Sequence, residues 1–333
     1  MNSPARVVVF SSSCISLPLI ERLAQRGQLA AVVIYFSDQP QQRQDARQLA
    51  ATLQPHGITL LEYPSAEPAS LLKQLDQWRA NIGLSFAFGK IFPPPLIDYF
   101  QGKLMNLHAS DLPNYRGPMP IYWQIRHGLD ELPLTLHQVS ADIDAGDIGL
   151  QTRLALHPFD TTQSATFKLM HSAADLFEQA LGQLQQGSLE WQPQRPWSDA
   201  DYKASALQPK DLQLNRTHSA QEIVRACRAG NPAQGFEVHT PLGAFHLMQA
   251  TVQPQPTFGA AAGTVVMIDK QQGWLVATRE GCVSFDVVVT SGGYFSGYQF
   301  ALLNGFEAGM CLFGIGAAGC LADIQEQINE KRG

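Results

Sequence analysis

Glycine-rich phosphate loops, cysteine pairs and long apolar runs are all missing from this chain. The first strand-like run, Arg6–Phe10, leads into Ser11-Ser12-Ser13-Cys14, where a dinucleotide-binding turn would carry glycines, so a nicotinamide cofactor is not expected. The five cysteines, Cys14, Cys227, Cys282, Cys311 and Cys320, are odd in number, widely spread and free of any C-x-x-C pair. That spacing supports neither a zinc site nor a disulfide framework, and reduced thiols in a cytoplasmic protein are expected. Val7–Phe10 is too short for the apolar core of a signal peptide, and the uncharged stretch Ala308–Ala322 is shorter than a membrane span and rich in glycine. A packed terminal segment is expected there, and no membrane partner. Charge is sparse as well, at 16% of residues with a formal net charge of -6. Such an acidic average argues against broad electrostatic binding to nucleic acid. No Ser or Cys sits in a nucleophile motif, which favours direct group transfer over a covalent intermediate.

What is present is a folded two-part chain. With 333 residues and 45% hydrophobic content, one large core plus a smaller second domain is expected. Apolar strands at Arg6–Phe10, Ala30–Phe36, Ile58–Tyr63 and Ile82–Phe86 alternate with helical stretches at Ser16–Arg26, Asp45–Gln54 and Ala69–Arg79. This βαβ rhythm predicts an α/β, Rossmann-like domain with a mostly parallel sheet, whose ligands collect at the strand C-termini. A long helix follows Asp160-Thr161-Thr162, with Phe167, Met170, Ala174, Phe177 and Leu181 at helical spacing. Prolines and weak periodicity from Gly187 to Gln213 suggest the linker, and short strands with glycine-rich turns beyond it suggest a small β-barrel. The expected division is a catalytic domain over 1–190, a linker over 191–213 and a β domain over 214–333.

The chemistry-bearing stretch runs from Leu104 to Ile148. Leu104–His108 reads as a strand, so Asn106 and His108 project from the same face. An amide donor suits oxygen charge building on a carbonyl, and an imidazole exchanges protons near neutral pH. A carboxylate from the turn Asp142-Ile143-Asp144-Ala145-Gly146-Asp147 would orient that imidazole and stabilise its protonated form. The same turn read as a calcium loop is short of ligands: Gly146 is the fifth residue from Asp142 rather than the sixth, and Arg153 stands twelfth in place of Glu. No metal site is expected.

The Asn106-x-His108 pair, the loop Ser110-x-Leu112-Pro113-x-Tyr115-Arg116-Gly117 and the Asp144-x-Gly146-Asp147 turn resemble the 10-formyltetrahydrofolate-dependent formyltransferases. The C-terminal part resembles the OB-like domain appended to some members. The resemblance implies an N-formyltransferase using 10-formyltetrahydrofolate. Asn106 would hold the formyl oxygen, His108 would act in proton transfer, and Asp144 would orient His108 and help deprotonate the amine. It further implies folate contacts from Phe88, Gly89, Lys90 and Ile91, from Ser110, Leu112 and Pro113, and from Asp142. Phe88–Ile91 reads equally as an ordinary strand-to-helix loop. Ala109 and Asp111 depart from the family loop, and Asp111 either faces water or reads the acceptor.

For the acceptor, the segment Ser37–Gln44 is short with one basic residue, and residues 206–333 hold 8 Lys and Arg against 10 Asp and Glu. These counts predict a small-molecule amine, such as a nucleotide-linked amino sugar or an amino-acid-derived metabolite. Tyr115, Arg116 and Trp123 are its candidate contacts, equally readable as scaffold. The alternatives are methionyl-tRNA as acceptor, and a folate-binding or formylfolate-hydrolysing protein. Both a monomer and a homodimer stay open.

Overall fold

The computed structural model describes residues 4–63 and 68–313. The described residues form two compact units, the first made of residues 4–63, 68–121, 130–156 and 164–206, the second of residues 122–129, 157–163 and 207–313.

In chain order the first part of the sequence forms β1 (Val7–Phe10), α1 (Leu17–Gln25), β2 (Leu29–Ile34), α2 (Pro40–Leu53), β3 (Leu60–Glu62), α3 (Pro68–Trp78), β4 (Ile82–Ser85), α4 (Pro94–Tyr99), β5 (Leu104–His108), α5 (Pro120–His127), β6 (Glu131–Gln138), β7 (Ile148–Ala155) and α6 (Thr162–Gln186). The seven strands order as β3-β2-β1-β4-β5-β6-β7. β1 to β5 run parallel, and β6 and β7 are antiparallel to their neighbours. Every residue of β1 and β4 is buried, as expected of parallel strands covered on both faces. β1 has β2 on one side and β4 on the other, so the strand order reverses at its C-terminal end, where a crevice forms in folds of this kind. Below it Phe10 makes edge contacts with Phe88, Phe92 and Phe100 at centroid distances of 5.5, 5.0 and 6.3 Å. Burying each such ring contributes roughly 1.5–3 kcal/mol.

Two local expectations change. α2 begins at Pro40, earlier than Asp45, and α4, a helix not expected from the sequence, starts at Pro94. Proline suits a first helical turn, because its missing N–H would have no partner there anyway. Residues 191–206, expected as linker, pack within the first unit: Gln192 exchanges two backbone hydrogen bonds of 2.8 Å with Ile148.

The second unit carries α7 (Ala220–Gly230), β8 (Phe236–Thr240), β9 (Gly243–Gln253), β10 (Val265–Asp269), β11 (Gly273–Ala277), β12 (Cys282–Thr290), β13 (Gly293–Ser296) and α8 (Gly297–Leu303). Its strands order as β10-β11-β12-β9-β8, with β13 on β12, all antiparallel. Ser219 caps α7 in a reciprocal capping box with Glu222. Trp274, fully buried, centres the core with Phe245, Phe285 and Phe306 at centroid distances of 5.6, 5.2 and 4.7 Å. The apolar stretch 308–322 and Cys320 fall partly or wholly outside the described residues. Among the described residues, no helix is long and apolar enough to cross a membrane.

Candidate active site

β5 lies between parallel β4 and antiparallel β6, and the β5–β6 register sets Asn106 opposite His137 and His108 opposite Thr135. Directly opposed residues on one face of a sheet are within contact distance. Asn106 Nδ2 accordingly donates to His137 Nε2 at 3.1 Å, while His137 Nδ1–H donates to the Gln138 carbonyl at 2.7 Å. These two partners assign the tautomer, with the proton on Nδ1 and Nε2 as acceptor. Burial first, then the neighbouring His108, pushes the His137 imidazole well below its ordinary value, so it is neutral near pH 7.

His108 is buried and donates from Nε2 to the Tyr115 carbonyl at 2.9 Å. Its Nδ1 faces Asp144 Oδ2 at 3.6 Å, beyond hydrogen-bond length but within ion-pair range. The sequence assigns ring orientation to Asp144; the direct hydrogen bond comes from Tyr115 instead. Asp144 Oδ2 accepts the Gly117 N–H at 2.9 Å, and Oδ1 stands 3.5 Å from Asn106 Nδ2 and 3.7 Å from His137 Nε2. The carboxylate thus sits between two imidazoles and an amide. Tyr115 and Asp144 both have left-handed backbones, at φ 58° and 52°. Strain of about 1–3 kcal/mol at non-glycine residues concentrates where geometry is being imposed. Gly146, in the same turn, has no room for a side chain: a Cβ there would run into the Gln138 carbonyl oxygen.

The other sequence-predicted residues divide. Ser110 is fully buried and structural, its Oγ donating to the Asn114 carbonyl at 2.8 Å and its own carbonyl accepting from Thr135 Oγ1 at 2.6 Å. Leu112 and Pro113 are buried in the same loop. Phe88 belongs to the aromatic core, Gly89 has a left-handed φ of 73°, Lys90 Nζ lies 4.1 Å from the centre of the Tyr35 ring, and Ile91 is exposed. Asp142 is exposed on its turn, with its carbonyl accepting from Ser140 Oγ. Tyr115 contributes a carbonyl and keeps its ring buried. Arg116 donates to Gln194 Oε1 at 2.5 Å and lies 5.7 Å from the Trp197 ring centre. Trp123 falls in the second unit, packed on Tyr122 and His127. Asp111 pairs with Arg153 at 2.7 Å and accepts from Gln151 Nε2 at 3.2 Å. That ion pair supplies a structural reason for a carboxylate at this position.

The sequence reading misses two residues that the structure brings to the site. His137 has a readable signal only once β5 and β6 are known to pair antiparallel in this register. Gln194 has none, because it arrives from a proline-interrupted segment about 50 residues after the turn it touches, donating to the Asp144 and Gly146 carbonyls.

The amide, the two imidazoles and the carboxylate can together stabilise charge on a carbonyl oxygen and accept a proton from an attacking amine. The family model described as Formyl transferase matches residues 5–181, and the one described as Formyl transferase, C-terminal domain matches residues 206–297. The methionyl-tRNA formyltransferase of Heliobacterium modesticaldum is 31% identical over 234 residues, covering 69% of this chain and 73% of that protein. The methionyl-tRNA formyltransferase of Nitrosospira multiformis is 30% identical over 291 residues, covering 86% and 92%. Among solved structures, WlaRD, a sugar 3N-formyl transferase crystallised in the presence of dTDP and 5-N-formyl-THF, covers 85% of this chain and 97% of its own, with a TM-score of 0.61 and 17% identity. That last likeness shows a shared fold. With the N-terminal match alone spanning more than half of the 333 residues, the chain belongs to the formyl transferase family.

Proposed function

We propose that this chain transfers a formyl group from 10-formyltetrahydrofolate to the amino group of methionyl-tRNA. The observation that carries the reading is that relatives matched across both units are methionyl-tRNA formyltransferases, the Nitrosospira protein at 30% identity over 92% of its own length. This corrects the expectation of a small-molecule amine, which rested on counting charges.

A net count averages over a surface, whereas phosphate recognition needs only a local concentration of cations. In the second unit Arg126, Arg225 and Arg228 lie along α5 and α7 with carboxylates among them. Arg126 Nη2 lies 3.2 Å from His218 Nε2, and the guanidinium stands 4.7 Å from the Phe236 ring centre. Burial first, then Arg126 and Arg225, pushes the His127 imidazole down. Burial lowers Arg228, opposed by Asp160 and aided by Arg225, and burial followed by Arg126 lowers His218 against Glu222. Arg126 neighbours both histidines and Arg225 neighbours His127 and Arg228, with Asp160 and Glu222 close by, so cations adjoin one another locally whatever the average charge of the chain.

When bound, 10-formyltetrahydrofolate supplies an activated formyl carbon. The chemistry of the side chains present suits that donor. Asn106 directs its amide, anchored by neutral His137, at the oxygen charge that develops on the formyl group. Its contact with Asp144 Oδ1, at 3.5 Å, is weak enough to exchange for a substrate oxygen. His108, fixed through Nε2 on the Tyr115 carbonyl, keeps Nδ1 for proton exchange. Asp144 stabilises the protonated ring and takes up the amine proton, directly or through His108, and that proton would pass to the folate N10 as its bond to the formyl carbon breaks.

The test is tetrahydrofolate release and formylmethionyl-tRNA formation by the purified protein, with and without substitutions. Asn106→Ala and His108→Ala should each lower turnover by about two to three orders of magnitude, the loss typical of one oxyanion donor. Folate affinity should stay within about threefold. Unchanged turnover in either variant removes that residue from the mechanism, and no product with methionyl-tRNA removes the acceptor assignment.

A further inference from the structure

We infer that Gln194 is a positioning residue that sets the Asp144 carboxylate through the backbone of its turn; this rests on the catalytic reading of Asp144 given above. Gln194 Nε2 donates to the Asp144 carbonyl at 2.9 Å and to the Gly146 carbonyl at 2.8 Å. Its Oε1 accepts from Arg116 Nη2 at 2.5 Å. A guanidinium has only donors, so Oε1 must face Arg116 and Nε2 must face the two carbonyls. The amide orientation is therefore fixed from both ends.

The contact falls where the turn needs it. Asp144 has φ 52°, a conformation non-glycine residues leave when nothing holds them. Clamping the carbonyls on either side of Ala145 holds that conformation, and with it the carboxylate beside Gly117 N–H, His108 and His137. The rest of the segment is pinned nearby. Gln192 bridges Ile148 at the start of β7, and Arg195 and Ser198 both bond Asp201, closing the loop between them. Tyr115 N–H donates to the Tyr202 carbonyl at 2.7 Å, Tyr202 N–H donates to Asn114 Oδ1 at 2.8 Å, and Ala204 N–H donates to the Arg116 carbonyl at 2.8 Å. One stretch, 192–204, thus ties down both groups that face the His108 ring: the Tyr115 carbonyl on Nε2 and the Asp144 carboxylate on Nδ1. This is what its inclusion in the first unit accomplishes, and Gln194 is the member that reaches Asp144.

The experiment is a double-mutant cycle on formylation of methionyl-tRNA, using Gln194→Met, Asp144→Asn and the double variant in the full chain. Met keeps the volume and loses both donors. Gln194→Glu is the second probe, because it retains an acceptor for Arg116 and loses only the donors. Each single Gln194 variant should lower kcat by about 10- to 30-fold, the worth of two neutral hydrogen bonds, with KM for both substrates within about threefold. In the Asp144→Asn background the same change should cost less than about threefold, since the group it positions is gone. Additive effects, a change in KM alone, or full activity in Gln194→Glu would overturn the proposal. If Asp144→Asn itself turns over normally, the catalytic reading of Asp144 fails and the Gln194 proposal with it; if only the Gln194 variants are active, the proposal fails alone.

Discussion

Replacing His137 with Phe probes the least exposed part of the site. The residue is 2% exposed, and its ring accepts one hydrogen bond from Asn106 and donates one to Gln138. Phe keeps most of the volume, so no large cavity term arises, but Asn106 Nδ2 loses its acceptor. An amide donor freed in this way costs about 1–2 kcal/mol in held orientation, which corresponds to about 5- to 30-fold in kcat with little change in KM. Stability carries a second signature. His137 is held below its ordinary value in the folded chain, so below about pH 6.5 the unfolded chain binds a proton that the folded one refuses. Folding stability should therefore fall as pH drops from neutrality towards pH 5.5, by about 1 kcal/mol from this one group. His137→Phe should lack that component and lose less stability over the same interval. Urea unfolding at pH 7.5 and 5.5, paired with steady-state kinetics, reads both. Identical pH slopes in wild type and variant would refute the buried neutral imidazole, and unchanged kcat would refute its hold on Asn106.

Other substitutions separate site from scaffold. Asp111→Asn breaks an ion pair whose side chains are 46% and 52% exposed, so it should change stability by less than about 1 kcal/mol and leave KM for the folate donor within twofold in steady-state assays. Gly146→Ala forces a Cβ against the Gln138 carbonyl, and turnover should drop at least about tenfold as the Asp144 turn shifts, checked against thermal melting to exclude global unfolding. Trp274→Ala empties the centre of the second unit and should destabilise it by about 3–5 kcal/mol, seen as an earlier transition in denaturant unfolding.

How far the sequence speaks depends on how local each feature is. Asn106 and His108 are legible because two residues on one strand share a face by geometry alone, and Asp144 because its turn carries Gly146 and Asp147 in a recognisable order. The alternation of strands and helices gives the parallel sheet for the same reason. His137 is not legible, since its role depends on β6 running antiparallel to β5 in a register that brings it opposite Asn106. Gln194 is further out of reach: it lies in a proline-broken segment, and only tertiary packing brings it to Asp144. Asp111 reads as an anomaly until Arg153, two strands away in sequence but adjacent in space, supplies its partner. The acceptor expectation failed for a different reason. Net charge is a property of composition, whereas the match to methionyl-tRNA formyltransferases across both units is carried by the order of residues along the chain.

The most direct test of the central claim is competition: purified protein with 10-formyltetrahydrofolate, methionyl-tRNA and a pool of nucleotide-linked amino sugars in one reaction, with products identified by mass. The account predicts formylmethionyl-tRNA as the dominant product, lost when Asn106 is replaced by Ala. Formylated sugar with unmodified methionyl-tRNA would contradict it.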